Sequence, residues 1–100
     1  MVIIAHVVLT GVTSDQYDAV RRACGWLEQV PDGGIAHLSW RDGSDSHSLD
    51  AWESEAAFAK FGEERLGPAM AKVGVAVEPK VTFFPAHEVF VPVAVTITAT

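Results

Sequence analysis

Apolar residues recur along this chain in two rhythms, and the switches between them predict its elements. Val2 to Thr10 is rich in Val and Ile and stops at Gly11, as a strand does. Thr13 precedes Gln16 by three, the spacing of a capping box in which each side chain satisfies the other residue's free N–H. Tyr17, Val20, Cys24 and Leu27 then follow at helical spacing. Pro31-Asp32-Gly33-Gly34 reads as a turn, Ile35 to Arg41 as a second strand, and Asp42-Gly43-Ser44-Asp45 as a hairpin loop into a third strand from Ser46 to Glu53. Ser54 is placed to cap a second helix, with Glu55 in its first turn and Ala57, Phe58, Phe61, Leu66, Ala69 and Val73 as its buried stripe. Gly67-Pro68 should bend or restart that helix, because proline cannot donate to the preceding turn, and Gly74 is placed to end it. A fourth strand is expected from Lys80 to Val91. The order βαββαβ is that of an α+β, ferredoxin-like domain over residues 1–91, a four-stranded antiparallel sheet with two helices on one face, followed by a β-prone tail, 92–100.

The strands carry apolar residues on both faces. Ile3, Ala5, Val7 and Leu9 alternate with Val2, Ile4, His6 and Val8, and Phe84 and Ala86 oppose Val81, Phe83 and Val89. Two helices cover one face only, and a bare apolar sheet face exceeds what a monomer usually exposes. A second copy of the chain is the simplest cover, so a homodimer is expected.

Composition narrows the partners. With 49% hydrophobic and 20% charged residues the chain is globular. A net charge of −6 with seven Lys and Arg points away from nucleic acid, whose binding relies on phosphate contacts, and away from anionic membranes. Cys24, the single cysteine, excludes an intrachain disulfide and fits a reducing compartment. The apolar start lacks the basic flank of a signal peptide and is too short to span a bilayer, so a cytoplasmic location is expected.

Gly11-Val12-Thr13 leading to Tyr17, with Trp52-Glu53-Ser54, Ala57-Phe58, Phe61 and Arg65-Leu66-Gly67-Pro68, resembles the dimeric α+β barrel superfamily that contains the antibiotic-biosynthesis monooxygenases. With the strand order, the resemblance spans nearly the whole chain. It implies two sheets facing across a dimer, or a pocket between sheet and helices in each subunit. It also implies a range of activities: cofactor-independent oxygenases, haem-degrading oxygenases, isomerases, polyketide cyclases and stress-responsive proteins. Many oxygenase members use an Asn with a Trp; this chain has no Asn, which points away from the haem-degrading type.

Candidate chemistry rests on strand parity. If Ala36 and Leu38, Leu49 and Ala51, and Phe84 and Ala86 face the helices, the other face collects His6, His37, Asp50, Trp52, Phe83 and His87, beside Ser39, Arg41 and Ser48. Aromatic walls with a few converging polar groups describe a small-molecule site. His6 or His87 would be the general base, His37 a polarising donor and Asp50 an orienting carboxylate; Trp52, Phe83 and Arg41 would bind substrate. Cyclases of the resembling superfamily pair such histidines with a Tyr, and Tyr17 on helix one is the only tyrosine here. The expected activity is proton abstraction next to a carbonyl on a hydrophobic aromatic or polyketide-like molecule, without a cofactor. A non-enzymatic ligand-binding or stress-responsive dimer is the alternative. No short-spaced metal-ligand motif is present, although His6, His37 and His87 could form a three-histidine site. His47 is expected to face solvent, and Trp26 and Trp40 to serve packing.

Overall fold

The computed structural model describes residues 1–92 and 96–97. Its sheet comprises β1 (Ile3–Leu9), β2 (Gly34–Asp42), β3 (Asp45–Trp52) and β4 (Lys80–Pro85), in the order β2-β3-β1-β4 with every pair antiparallel. Helix α1 (Ser14–Cys24) follows β1; α2 (Glu55–Phe61), a π-helical turn (Gly62–Leu66) and α3 (Gly67–Val73) follow β3. The βαββαβ order is ferredoxin-like, as expected. Strand four ends at Pro85, short of Val91, with one further bond from the Ala86 N–H to the Val2 carbonyl. Of the expected tail, residues 93–95 and 98–100 lie outside the described residues.

Local chemistry explains the element ends. Thr13 and Gln16 form the full capping box, with Gln16 N–H to Thr13 Oγ1 at 3.1 Å and Thr13 N–H to Gln16 Oε1 at 2.9 Å. Helix α1 stops where Gly25 adopts the left-handed conformation (φ 71°), so Leu27 lies beyond the helix and is exposed, contrary to the helical stripe assigned to it. The Gly43–Ser44 turn has positive φ at Gly43 alone, the pattern of a type II′ hairpin. Pro68 lacks an N–H, and the widened π turn ahead of it lets the Gly67 N–H reach the Gly62 carbonyl before the chain resumes as α3.

The core lies between sheet and helices. Ile3, Ala5, Val7 and Leu9 of β1 are buried there with Val12, Val20, Trp52, Phe61, Ala69, Met70 and Val75. Central β1 thus has the parity its sequence suggests. The other strands do not. Pairing of Ala5 with Asp50 and Phe83, and of Asp50 with His37, places His37, Asp50, Trp52 and Phe83 on the helix-covered face. Leu38, Leu49 and Phe84 sit opposite, on the open face with Ile4, His6 and Val8. The expectation fails because it equated the more apolar set with the helix side; in β2 and β3 the apolar set faces outward.

Gly33 binds the β2 edge to α2. Its φ is +80°, its carbonyl accepts from Glu53 N–H, and a Cβ there would meet Ala57 Cβ at 2.7 Å. Gly43 also has positive φ but faces open space. Gly33→Ala should therefore destabilise by about 2–4 kcal/mol through combined strain and overpacking, and Gly43→Ala by only about 1 kcal/mol. Urea denaturation of the two variants checks this; equal losses would contradict the close-packing argument.

Candidate functional site

A buried carboxylate organises the helix side of β2 and β3. Asp50 is 8% exposed, and each of its oxygens has a partner. Oδ1 lies 2.6 Å from His37 Nδ1 on the neighbouring strand, and Oδ2 accepts from Trp52 Nε1–H at 3.3 Å. An ionised carboxylate only accepts, so His37 Nδ1 carries the proton. In the neutral ring that leaves Nε2 as an acceptor, and the Tyr17 hydroxyl lies 2.7 Å from it. The result is a continuous chain, Tyr17 O–H to His37 to Asp50, crossing from α1 to the sheet.

Each member is held by its element. The capping box fixes the first turn of α1, one turn of which carries Tyr17 down toward β2. The β2–β3 register sets His37 directly opposite Asp50. Trp26, just past the Gly25 cap, packs its ring on both others, 5.3 Å from His37 and 5.9 Å from Tyr17 between centroids, and rests on Phe61. The His37 side chain is 34% exposed, so a ligand can reach this chain from solvent. Burial pushes the Tyr17 phenol above its ordinary value; a hydrogen bond with Ser39 partly offsets this, and the nearby Asp50 charge adds to it. Tyr17 is therefore a proton donor at neutral pH and not a phenolate.

The remaining expected residues disperse. Phe83 is on the helix side but stacks edge-on against Phe58, away from the chain. Trp52 is buried beneath Asp50, so it supports the carboxylate rather than presenting a binding surface. Arg41 is on the helix side of β2 but exposed near the hairpin, and it pairs in register with Ser46, not with Asp50. His87 is exposed in a bend beyond β4. His6 lies on the open face, where its Nε2 is 3.0 Å from Nδ1 of His47 and both rings neighbour Trp40. His47 is thus partnered and mostly shielded, not solvent-facing. His6, His37 and His87 cannot share a metal, being split between two faces and a loop; among the described residues no three His, Cys, Asp or Glu side chains are placed to hold an ion.

A separate cavity of about 520 Å³ lies on the β4 side, between α3 and the sheet, walled by Val7, Phe58, Leu66, Met70, Val77 and Val81. It is apolar and does not touch Tyr17, His37 or Asp50. No described helix is long and apolar enough to cross a membrane.

Solved structures place this architecture. A protein of unknown function from Nitrosomonas europaea superposes with a TM-score of 0.70 at 17% identity, covering 93% of this chain and 96% of its own. SnoaB, a cofactor-independent oxygenase from Streptomyces nogalater, gives 0.62 at 12% identity, with 88% and 94% covered. A candidate antibiotic-biosynthesis monooxygenase from Caulobacter crescentus gives 0.62 at 16% identity, with 87% and 91% covered. The fold is that of the antibiotic-biosynthesis-monooxygenase-like proteins. No family model matches the sequence, and no curated protein does so. At these identities the likeness carries the fold, and the chemistry has to be argued from this chain's own residues.

Tyr17 is the only tyrosine, so its titration can be read without ambiguity. The near-ultraviolet phenolate absorbance should rise with a midpoint above 10.0 in the folded protein and fall back to the ordinary value in denaturant. Because the folded state holds this proton more tightly, its contribution to stability is full below the ordinary pKa and is lost as pH climbs through the raised one. Asp50→Asn should lower the folded midpoint. A midpoint at or below 10.0 in the native protein would contradict a buried, donating phenol.

Proposed function

We propose that this chain is a homodimeric small-molecule enzyme that moves a proton next to a carbonyl without a cofactor, with His37 as base. The observation that carries this reading is the Tyr17–His37–Asp50 chain, closed over by Trp26. A flat aromatic ketone lying against Trp26 would displace the Tyr17 hydroxyl from His37 Nε2. Nε2 would then take a proton from the carbon beside the carbonyl. Asp50 holds the Nδ1–H throughout and stabilises the imidazolium that forms. Tyr17 donates its hydrogen bond to the carbonyl oxygen, which becomes an enolate. That carbanion equivalent can be reprotonated for isomerisation, attack a second carbonyl for cyclisation, or react with oxygen. A monooxygenase, cyclase or isomerase all begin from the same step.

The open face supports the dimer reading. Leu38 is 63% exposed, Phe84 49%, and Trp40 and Leu49 are also exposed, all on one face of the antiparallel sheet. A two-fold related copy presents the same surface and buries it. One observation favours a second reading, a binding protein without catalysis: the apolar β4-side cavity is large enough for a ligand yet touches no titratable chain of this kind.

Exchange of the α-hydrogens of 2-tetralone into D₂O, followed by NMR, separates the two. His37→Ala should slow it by about 10²–10⁴-fold, the usual contribution of a general base, and Tyr17→Phe by a smaller factor, while His6→Ala leaves it unchanged. Exchange no faster than buffer, or equal in wild type and His37→Ala, would leave the binding reading.

A further inference from the structure

We propose that the His6–His47 pair makes association through the open sheet face pH-dependent, holding two copies together near neutral pH and releasing them in mild acid. This rests on the reading that the open face is the dimer interface. The two rings lie on that face among Ile4, Val8, Leu38 and Leu49, as the register of β1, β2 and β3 requires. His6 Nε2 and His47 Nδ1 are 3.0 Å apart while the ring centroids are 5.2 Å apart. Nitrogens this close with centroids this far mean that the rings meet edge to edge, with their lone-pair directions nearly in line. That is the geometry of one shared proton.

One N–H serves both rings when both are neutral. A first added proton can be accommodated, because an imidazolium donates well to an imidazole. A second proton leaves two N–H groups face to face and two like charges in contact, so the pair must separate. Few neighbouring charges can relieve this. Trp40 of β2 and Thr82 of β4 are uncharged, and Lys80 of β4 shares the face beside Val8 and adds positive charge. Asp42 approaches His47 Nε2 at only 4.0 Å from an exposed position. Asp45 uses Oδ1 to accept from Gly11 N–H. In the separated chain water solvates the charged rings; inside an apolar interface it does not, so the monomer takes up protons more readily than the dimer. Two-fold symmetry places two such pairs in each dimer, which steepens the response.

Sedimentation equilibrium of the full chain at about pH 8 and about pH 5.5, spanning the range where imidazole changes charge, tests the proposal. The dimer dissociation constant should rise about tenfold or more on acidification, with far-ultraviolet circular dichroism unchanged. The His6→Gln/His47→Gln double variant should dimerise with little pH dependence, and His47→Gln alone should show a reduced slope. A wild-type dissociation constant that stays level overturns the switch and leaves the dimer standing. A monomer at both pH values overturns the dimer reading and the switch with it. A double variant with the wild-type slope would assign the effect to His37 or His87 and overturn the role given to this pair.

Discussion

A carboxylate placed under helices in a small domain must be partnered, and Asp50 imposes that condition on this fold. An unpaired charge at 8% exposure would be expelled or neutralised; paired on both oxygens, it is retained. The partners it takes determine much else. His37 has to stand opposite it on β2, which fixes the parity of both hairpin strands. Trp52 has to bring its N–H inward, which places the indole in the core against Phe58 and Phe61. With its Nδ1–H donating to Asp50, the other nitrogen of His37 is free to accept from α1, and Tyr17 fills that role.

The same condition divides the molecule laterally. Beneath β1 and β4 the helix side is apolar, with Val7, Phe58, Met70 and Val81 around an open cavity. Beneath β2 and β3 it is polar, with His37, Ser39, Ser46, Ser48 and Asp50 all pointing inward. The apolar residues of β2 and β3 are consequently displaced to the open face, where Leu38, Trp40 and Leu49 leave a surface that a second copy can bury. The candidate site and the exposed apolar surface are thus two sides of one hairpin, and a change of register there would exchange them.

Much of the scaffold was legible from sequence because it depends on local chemistry. The Thr13/Gln16 box, the proline-driven restart at Gly67-Pro68, the Gly74 cap and the alternation of β1 all act within a few residues, and each stands where the pattern puts it. The face assignments of β2, β3 and β4 were not legible. Alternation tells which residues share a face but not which face is covered, and an inward apolar set is a poor assumption for strands carrying a buried acid. The polar run His37, Ser39, Arg41 against Ser46, Ser48, Asp50 was the available signal: one face of a hairpin entirely polar marks a site as readily as it marks a solvated surface. Trp26 was read as a packing residue, which it is, but its place beside Tyr17 and His37 was not legible, for a different reason. It follows a helix cap, in a segment without periodicity, and only its packing on Tyr17 and His37 gives it a role.

Nitrogen-15 NMR of the protein labelled at its histidine rings tests the Tyr17–His37–Asp50 chain most directly. The hydrogen-bond chain predicts that His37 carries a proton on Nδ1, slowly exchanging and strongly downfield, in a hydrogen bond to Asp50. A His37 ring protonated at Nε2, or averaging rapidly between tautomers, would contradict the chain and the chemistry built on it.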